Sequence, residues 1–166
     1  MKIRVLLTGG TIDKHYNESN GNMEFADSHI SAILEQGRNR SDLQIDTVMF
    51  KDSLEMIDHD RKLIANSCAN CFEEKILITH GTDTMIQTAN HIVKNKPQLV
   101  ENKCIVFVGA MIPYEISYSD SAFNVGFALG ALNSLDNGIY IAMNGKIFTA
   151  NNVKKNLSLG EFQELI

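Results

Sequence analysis

Short apolar runs punctuate the chain at Ile3–Leu7, Ile45–Phe50, Ile76–Thr79, Ile105–Val108 and Ile139–Met143. Each has the length of a strand, is rich in Val and Ile, and is nearly continuous rather than alternating. A strand exposed on one face alternates apolar with polar residues, so this pattern predicts parallel strands covered on both sides. Between the runs the period changes to that of helices: about Ser28–Gln36, Asp58–Phe72, Asp83–Lys94 and Ser119–Leu135. In the last of these, apolar residues recur at spacings of three and four. Alternating strands and helices, without an internal repeat or low-complexity tract, predict a single α/β domain over residues 1–166. Its expected form is a doubly wound, mainly parallel sheet flanked by helices, a flavodoxin-like three-layer sandwich. From Lys146 onward the chain reads as a short strand or hairpin followed by a loose polar stretch.

In open parallel sheets, ligands bind beyond the carboxyl ends of the strands. The segments expected there are "TGGTIDKHYN", "KDSLEM", "HGTDTM" and "GAMIPYEISYSD", all dense in Gly, Thr, Ser and Asp. A structural strand-to-helix loop needs only a turn and a cap, so four polar loops on one edge point to a site. Taken singly, each remains ambiguous. Gly9-Gly10-Thr11 suits either a tight strand exit or close approach of the backbone to a ligand. Thr82-Asp83 could cap a helix, as could Thr84. They become chemical if a lysine reaches them, because a threonine hydroxyl needs a partner to remove its proton. Lys155 is the candidate and Lys154 its competitor. Asp52-Ser53 could cap a helix, or present a hydroxyl to a substrate carboxylate.

Composition narrows the partners. A formal net charge of −5, with Arg61-Lys62 and Lys154-Lys155 the only adjacent Lys/Arg pairs, argues against nucleic acid. No apolar stretch is long enough to cross a bilayer, and Gly9-Gly10 and Asp13 end the first run too early for a signal peptide. With three cysteines, an odd number, a reduced cytoplasmic setting is expected. Cys68 and Cys71 form a C-x-x-C near the end of a helical pattern with no second pair, which favours packing over redox or zinc chemistry. No histidine has a metal-ligand spacing such as H-E-x-x-H, and neither G-x-G-x-x-G nor a P-loop is present. Neither a metal nor a cofactor is therefore expected, and His80, Met85 and Met111 read as packing residues.

Together "LLTGGTID", "HGTDTM" and "FVGAMIPYEISYSDSAFNVGFAL" resemble the bacterial-type L-asparaginase family, including its relatives that act on glutamine or on amidated tRNA. The resemblance runs from Ile3 to about Asn156 and covers the family's N-terminal domain, its C-terminal domain being absent from this chain. It implies an amidohydrolase that converts L-asparagine, and more weakly L-glutamine, through an acyl-threonine. By position, Thr11 matches the nucleophile, Tyr16 the tyrosine of the flexible loop, and Thr82, Asp83 and Lys155 the second catalytic group. Ser53 and Asp83 would bind the substrate's carboxylate and ammonium groups, and Thr82 and Ala110 the reacting amide. Ile112 and Leu54 depart from residues common in the family and bear on selectivity. In the family a neighbouring subunit closes the pocket. That implies a homodimer or higher oligomer, with residues 119–135 or the sheet edge as contact, or closure by Glu55. A non-catalytic amino-acid-binding or amide-transfer domain is the alternative.

Overall fold

The computed structural model describes residues 2–165. Its central sheet is built from β1 (Lys2–Gly9), β4 (Asp42–Lys51), β5 (Lys75–Thr79), β6 (Cys104–Val108), β7 (Gly138–Met143) and β8 (Lys146–Thr149). The order is β4-β1-β5-β6-β7-β8, parallel except for β8, which pairs antiparallel with β7 at the edge. The expected doubly wound α/β sandwich is thus what the chain forms.

Strand periodicity divides the core in two. Ile76 and Ile78 of β5, Ile105 and Phe107 of β6, and Ile139 and Ile141 of β7 face α2 (Asp58–Asn70) and α3 (Met85–Asn95). Their neighbours Leu77, Val106 and Ala142, with Ile3 and Val5 of β1, face α1 (Ile30–Gln36) and α5 (Ser121–Ser134). Burying each large side chain on either face contributes roughly 1.5–3 kcal/mol. Because both faces are covered, the central strands carry no polar alternation.

Three segments depart from the sequence expectation. The loop after β1 holds a hairpin, β2 (Lys14–Asn17) and β3 (Asn22–Phe25), paired antiparallel. A short helix, α4 (Pro97–Asn102), begins with proline at its first turn, where no amide partner is needed. The tail expected to be loose instead forms β9 (Lys154–Asn156) and β10 (Glu161–Gln163), tied down by buried Val153 and Phe162.

The chain runs from β1 to β4 on one side and then from β5 outward on the other. The switch point therefore lies between β1 and β5, and the loops leaving their carboxyl ends carry Thr11 and Thr82.

Candidate active site

Thr8 and Thr79 bind the ends of these two strands together. Thr8 Oγ1 donates to the Thr79 carbonyl at 2.6 Å, and the Thr8 amide donates to Thr79 Oγ1 at 3.3 Å. The chain then turns through Gly10, whose φ of 86° and ψ of −179° lie in a region essentially reserved for glycine. A Cβ on Gly10 would sit 2.3 Å from the Gly81 amide nitrogen, and one on Gly81 would sit 2.5 Å from Ser53 Oγ. A Cβ on Gly109 would meet the His80 carbonyl at 2.4 Å and the Thr82 methyl at 3.2 Å. The four loops singled out in the sequence therefore meet in backbone contact, with each threonine one residue beyond the Gly10–Gly81 crossing.

Lys155 reaches this junction from β9. It pairs across the hairpin with Phe162, which is 2% exposed and fixes the strand against the core. Its Nζ donates to Thr82 Oγ1 at 2.8 Å and to Asp83 Oδ1 at 2.6 Å. Only 11% of the lysine side chain is exposed, against 39% for Asp83, so a sheltered ammonium meets a carboxylate on the rim. Lys154, the competitor, is exposed. Asp83 does not cap α3: the capping position is Thr84, whose hydroxyl donates to the Ser53 carbonyl at 2.7 Å. The simple capping reading of Thr82-Asp83 is thereby replaced by an ion pair that joins residues 72 apart.

His80 stiffens the same loop. It is fully buried, with Nδ1 2.9 Å from the Gly81 carbonyl and Nε2 2.8 Å from Thr88 Oγ1. The carbonyl can only accept, so the proton belongs on Nδ1 and Nε2 accepts from Thr88. Burial pulls the His80 pKa down to about 4, so the imidazole is neutral at pH 7. Its expected role in packing and hydrogen bonding is what the geometry gives.

The remaining candidates differ in setting. Thr11 is half-buried and opens a 3₁₀ turn, Thr11–Asp13. Ser53 (1% exposed) and Ala110 (1%) lie beneath the loop surface rather than on it. Tyr16 is 55% exposed on the hairpin, where its amide donates to Glu115 Oε2 at 3.1 Å, and no bond joins its hydroxyl to Thr11 among the described residues. Asp83 and Lys155 also border an open groove with Asp58, Arg61, Gln87 and Lys154, which does not include Thr11.

Sequence reasoning missed the residues that hold these loops. The Asp120 carboxylate accepts from the Met111 and Ile112 amides, each at 3.0 Å. Asn124 Nδ2 donates to Asp120 at 2.8 Å and to the Gly109 carbonyl at 3.0 Å. An Asp and an Asn one turn apart at a helix start were the available signal. Asp52, by contrast, takes the capping role the sequence offered to Asp52-Ser53: it accepts from the Leu54 amide, and it pairs with Lys14 at 2.6 Å, which chiefly holds its pKa low. Cys68 and Cys71 are free thiols whose pKa values burial raises, and Cys68 belongs to the core, as expected. No helix among the described residues is long and apolar enough to cross a membrane.

Residues 2–161 match the family model described as asparaginase, N-terminal. The chain is 32% identical to the L-asparaginase of Thermococcus kodakarensis over 168 residues, covering 96% of this chain and 49% of that protein. The solved structure of the T. kodakarensis thermostable L-asparaginase superposes with a TM-score of 0.84 at 29% identity, over 99% of this chain and 51% of that one. A probable cytoplasmic L-asparaginase from Campylobacter jejuni gives 0.78 at 29% identity, over 98% and 52%. Over 75 residues, 45% of this chain and 17% of the other, it is 39% identical to a glutamyl-tRNA(Gln) amidotransferase subunit of Methanococcus vannielii. The chain spans about half the length of the L-asparaginases it matches.

Proposed function

The chain belongs to the asparaginase family, and we propose that it hydrolyses a side-chain amide, converting L-asparagine to L-aspartate and ammonia, with L-glutamine a poorer substrate. The observation that carries this reading is the pair of bonds from Lys155 Nζ to Thr82 Oγ1 and Asp83 Oδ1. Thr11 Oγ attacks the amide carbon, the carbon–nitrogen bond breaks, and ammonia leaves with the hydroxyl proton, which gives an acyl-threonine. Water then attacks the ester, and aspartate departs as Thr11 regains its proton. Thr82 and Lys155 relay protons along their hydrogen bond, with Asp83 orienting the ammonium. The Thr82 amide and the chain near Ala110 stabilise the oxyanion. Ser53 and Asp83 hold the substrate's α-carboxylate and α-ammonium, and Tyr16 assists Thr11 as the hairpin approaches. Neither metal nor cofactor takes part in these steps. The same reading takes residues 1–166 as one domain of a cytoplasmic homo-oligomer, in which a second copy closes the open side of the site.

Purified protein should release ammonia from asparagine at millimolar concentration. Thr11→Ala and Lys155→Met should each lower turnover by about three orders of magnitude or more with unchanged far-UV circular dichroism. Near-normal turnover in either variant removes that residue from the mechanism. The match to the amidotransferase subunit favours a second reading, an amide-binding partner in group transfer. Calorimetric binding of asparagine or aspartate with no ammonia released would select it.

A further inference from the structure

Outside the threonine site, three residues from distant parts of the chain converge on one point. His15 lies on β2, His29 just before α1, and Glu115 in the loop between β6 and α5. One ligand-capable atom from each lies within 4.8 Å of the other two. His15 Nδ1 is 2.8 Å from Glu115 Oε1, and His29 Nε2 is 3.9 Å from the same oxygen. The imidazole centroids are 4.0 Å apart.

The outward nitrogen of His15 is already committed. His15 Nε2 is 2.7 Å from the Asp27 carbonyl, to which it can only donate. His29 Nε2 has no hydrogen-bond partner among the described residues. In the ion-free protein His15 Nδ1 faces the acceptor-only Glu115 carboxylate and so carries a proton that an entering cation would displace, while the Asp27 carbonyl orients the other nitrogen in the way ligating histidines are commonly held. His29 is only 8% exposed, and its unpartnered Nε2 is turned towards Glu115 and His15. A buried nitrogen without a hydrogen bond is costly unless something fills the place in front of it.

We propose that His15 Nδ1, His29 Nε2 and the Glu115 carboxylate form a binding site for a divalent ion of the zinc class. Two imidazoles and one carboxylate are the donor set that such ions prefer. Bonds of about 2.0–2.1 Å place neighbouring tetrahedral ligands about 3.3 Å apart, close to the spacing around Glu115. Once bound, the ion ties the β2–β3 hairpin, and with it Tyr16, to the β6–α5 loop. The site stands independently of amide hydrolysis, because its test reads binding.

The test is calorimetric titration of the intact chain with zinc chloride, repeated with cobalt(II) to follow visible absorption from a nitrogen–oxygen ligand field. One ion per chain is expected. Glu115→Gln and His15→Asn should each weaken binding by at least about 100-fold, beyond the 10–100-fold that follows loss of an outer supporting contact. Glu115 is exposed, so its variant keeps the fold even if changes at His29 do not. A combined His59→Asn, His91→Asn, Cys71→Ser variant should bind as the parent does. No saturable binding at micromolar zinc overturns the proposal, as does parental affinity in Glu115→Gln and His15→Asn. Loss of binding in the combined variant alone assigns the ion elsewhere and overturns it equally.

Discussion

The loops after β1 and β5 touch at Gly10 and Gly81, yet they are held in opposite ways. The β5 loop is buried at His80 and Thr82, and its bonds run to Thr88, Ser53 and Lys155. Beyond Asp13 the β1 loop projects as the β2–β3 hairpin, exposed at Tyr16, at residues 18–22 and at Glu24. Lys14 tethers it to Asp52, while His15 and the Tyr16 amide tether it to Glu115. Groups whose spacing must be kept within tenths of an ångström gain from the first kind of support, while a segment that admits and covers a ligand gains from the second. The site therefore joins a stiff half to a compliant one, and the seam runs through Thr11.

The sharpest way to break this comparison is to add one methyl group to each half. Gly10 and Gly21 both have positive φ, 86° and 75°. Around Gly10 the added carbon meets backbone at 2.3 Å, whereas around Gly21 nothing lies within 4 Å. Gly10→Ala should destabilise by at least ~3 kcal/mol, combining backbone strain with a clash that no side chain can relieve. Gly21→Ala should cost only about 1 kcal/mol, the penalty for a left-handed alanine. Urea unfolding measures both, and equal losses would mean that the junction yields as readily as the hairpin tip.

A second prediction tests the stiff half through pH. His80 titrates near 4 in the folded protein, against an ordinary value of 6.5. At neutral pH both states are largely unprotonated, but between 6.5 and 4 only the unfolded chain takes up the proton. Stability is therefore full above the unfolded value and falls with pH through that window, by on the order of 3 kcal/mol at the lower end. His80→Gln should lower stability at pH 7 while flattening this part of the curve. An unchanged slope in chemical denaturation across the window would show that His80 is not held neutral.

What the sequence disclosed follows the same division. The buried strands were legible because covering on both faces removes the polar alternation, as in Ile105–Val108. Thr82 and Asp83 stood out because the compact HGTDTM segment carries them, whereas Lys155 was one of two candidates until the structure brought its Nζ to both. The hairpin strands are four residues each and mostly polar, so Lys14–Asn17 and Asn22–Phe25 have no apolar face to reveal their period. The Asn20-Gly21 turn was the one local signal. In β10 the whole anchor is one residue, Phe162, and its partner strand is identifiable only once β9 is placed. His15, His29 and Glu115 were not readable at all, because metal-ligand spacing along a chain reveals only sites built within one element or turn.

The smallest expected effect concerns the tether between Lys14 and Asp52, and it separates local from global stability. Both side chains are partly exposed, at 23% and 29%, so screening limits the pair to under about 1 kcal/mol. Lys14→Met keeps an apolar stem beside Phe25 and removes the charge. Global stability should then change by less than ~1 kcal/mol, within the range of ordinary surface substitutions. Opening of the hairpin alone requires only a few such contacts to break, so amide exchange over residues 14–25 should quicken several-fold. The amides of residues 78–84 should not change, because the His80 amide donates to Val108 and the Thr84 and Thr82 hydroxyls hold the loop to Ser53 and Lys155, not to the hairpin. Hydrogen exchange followed by mass spectrometry distinguishes the two segments in one experiment. If both quicken together, the two loops open as one unit, and the compliant half cannot move while the stiff half holds its geometry.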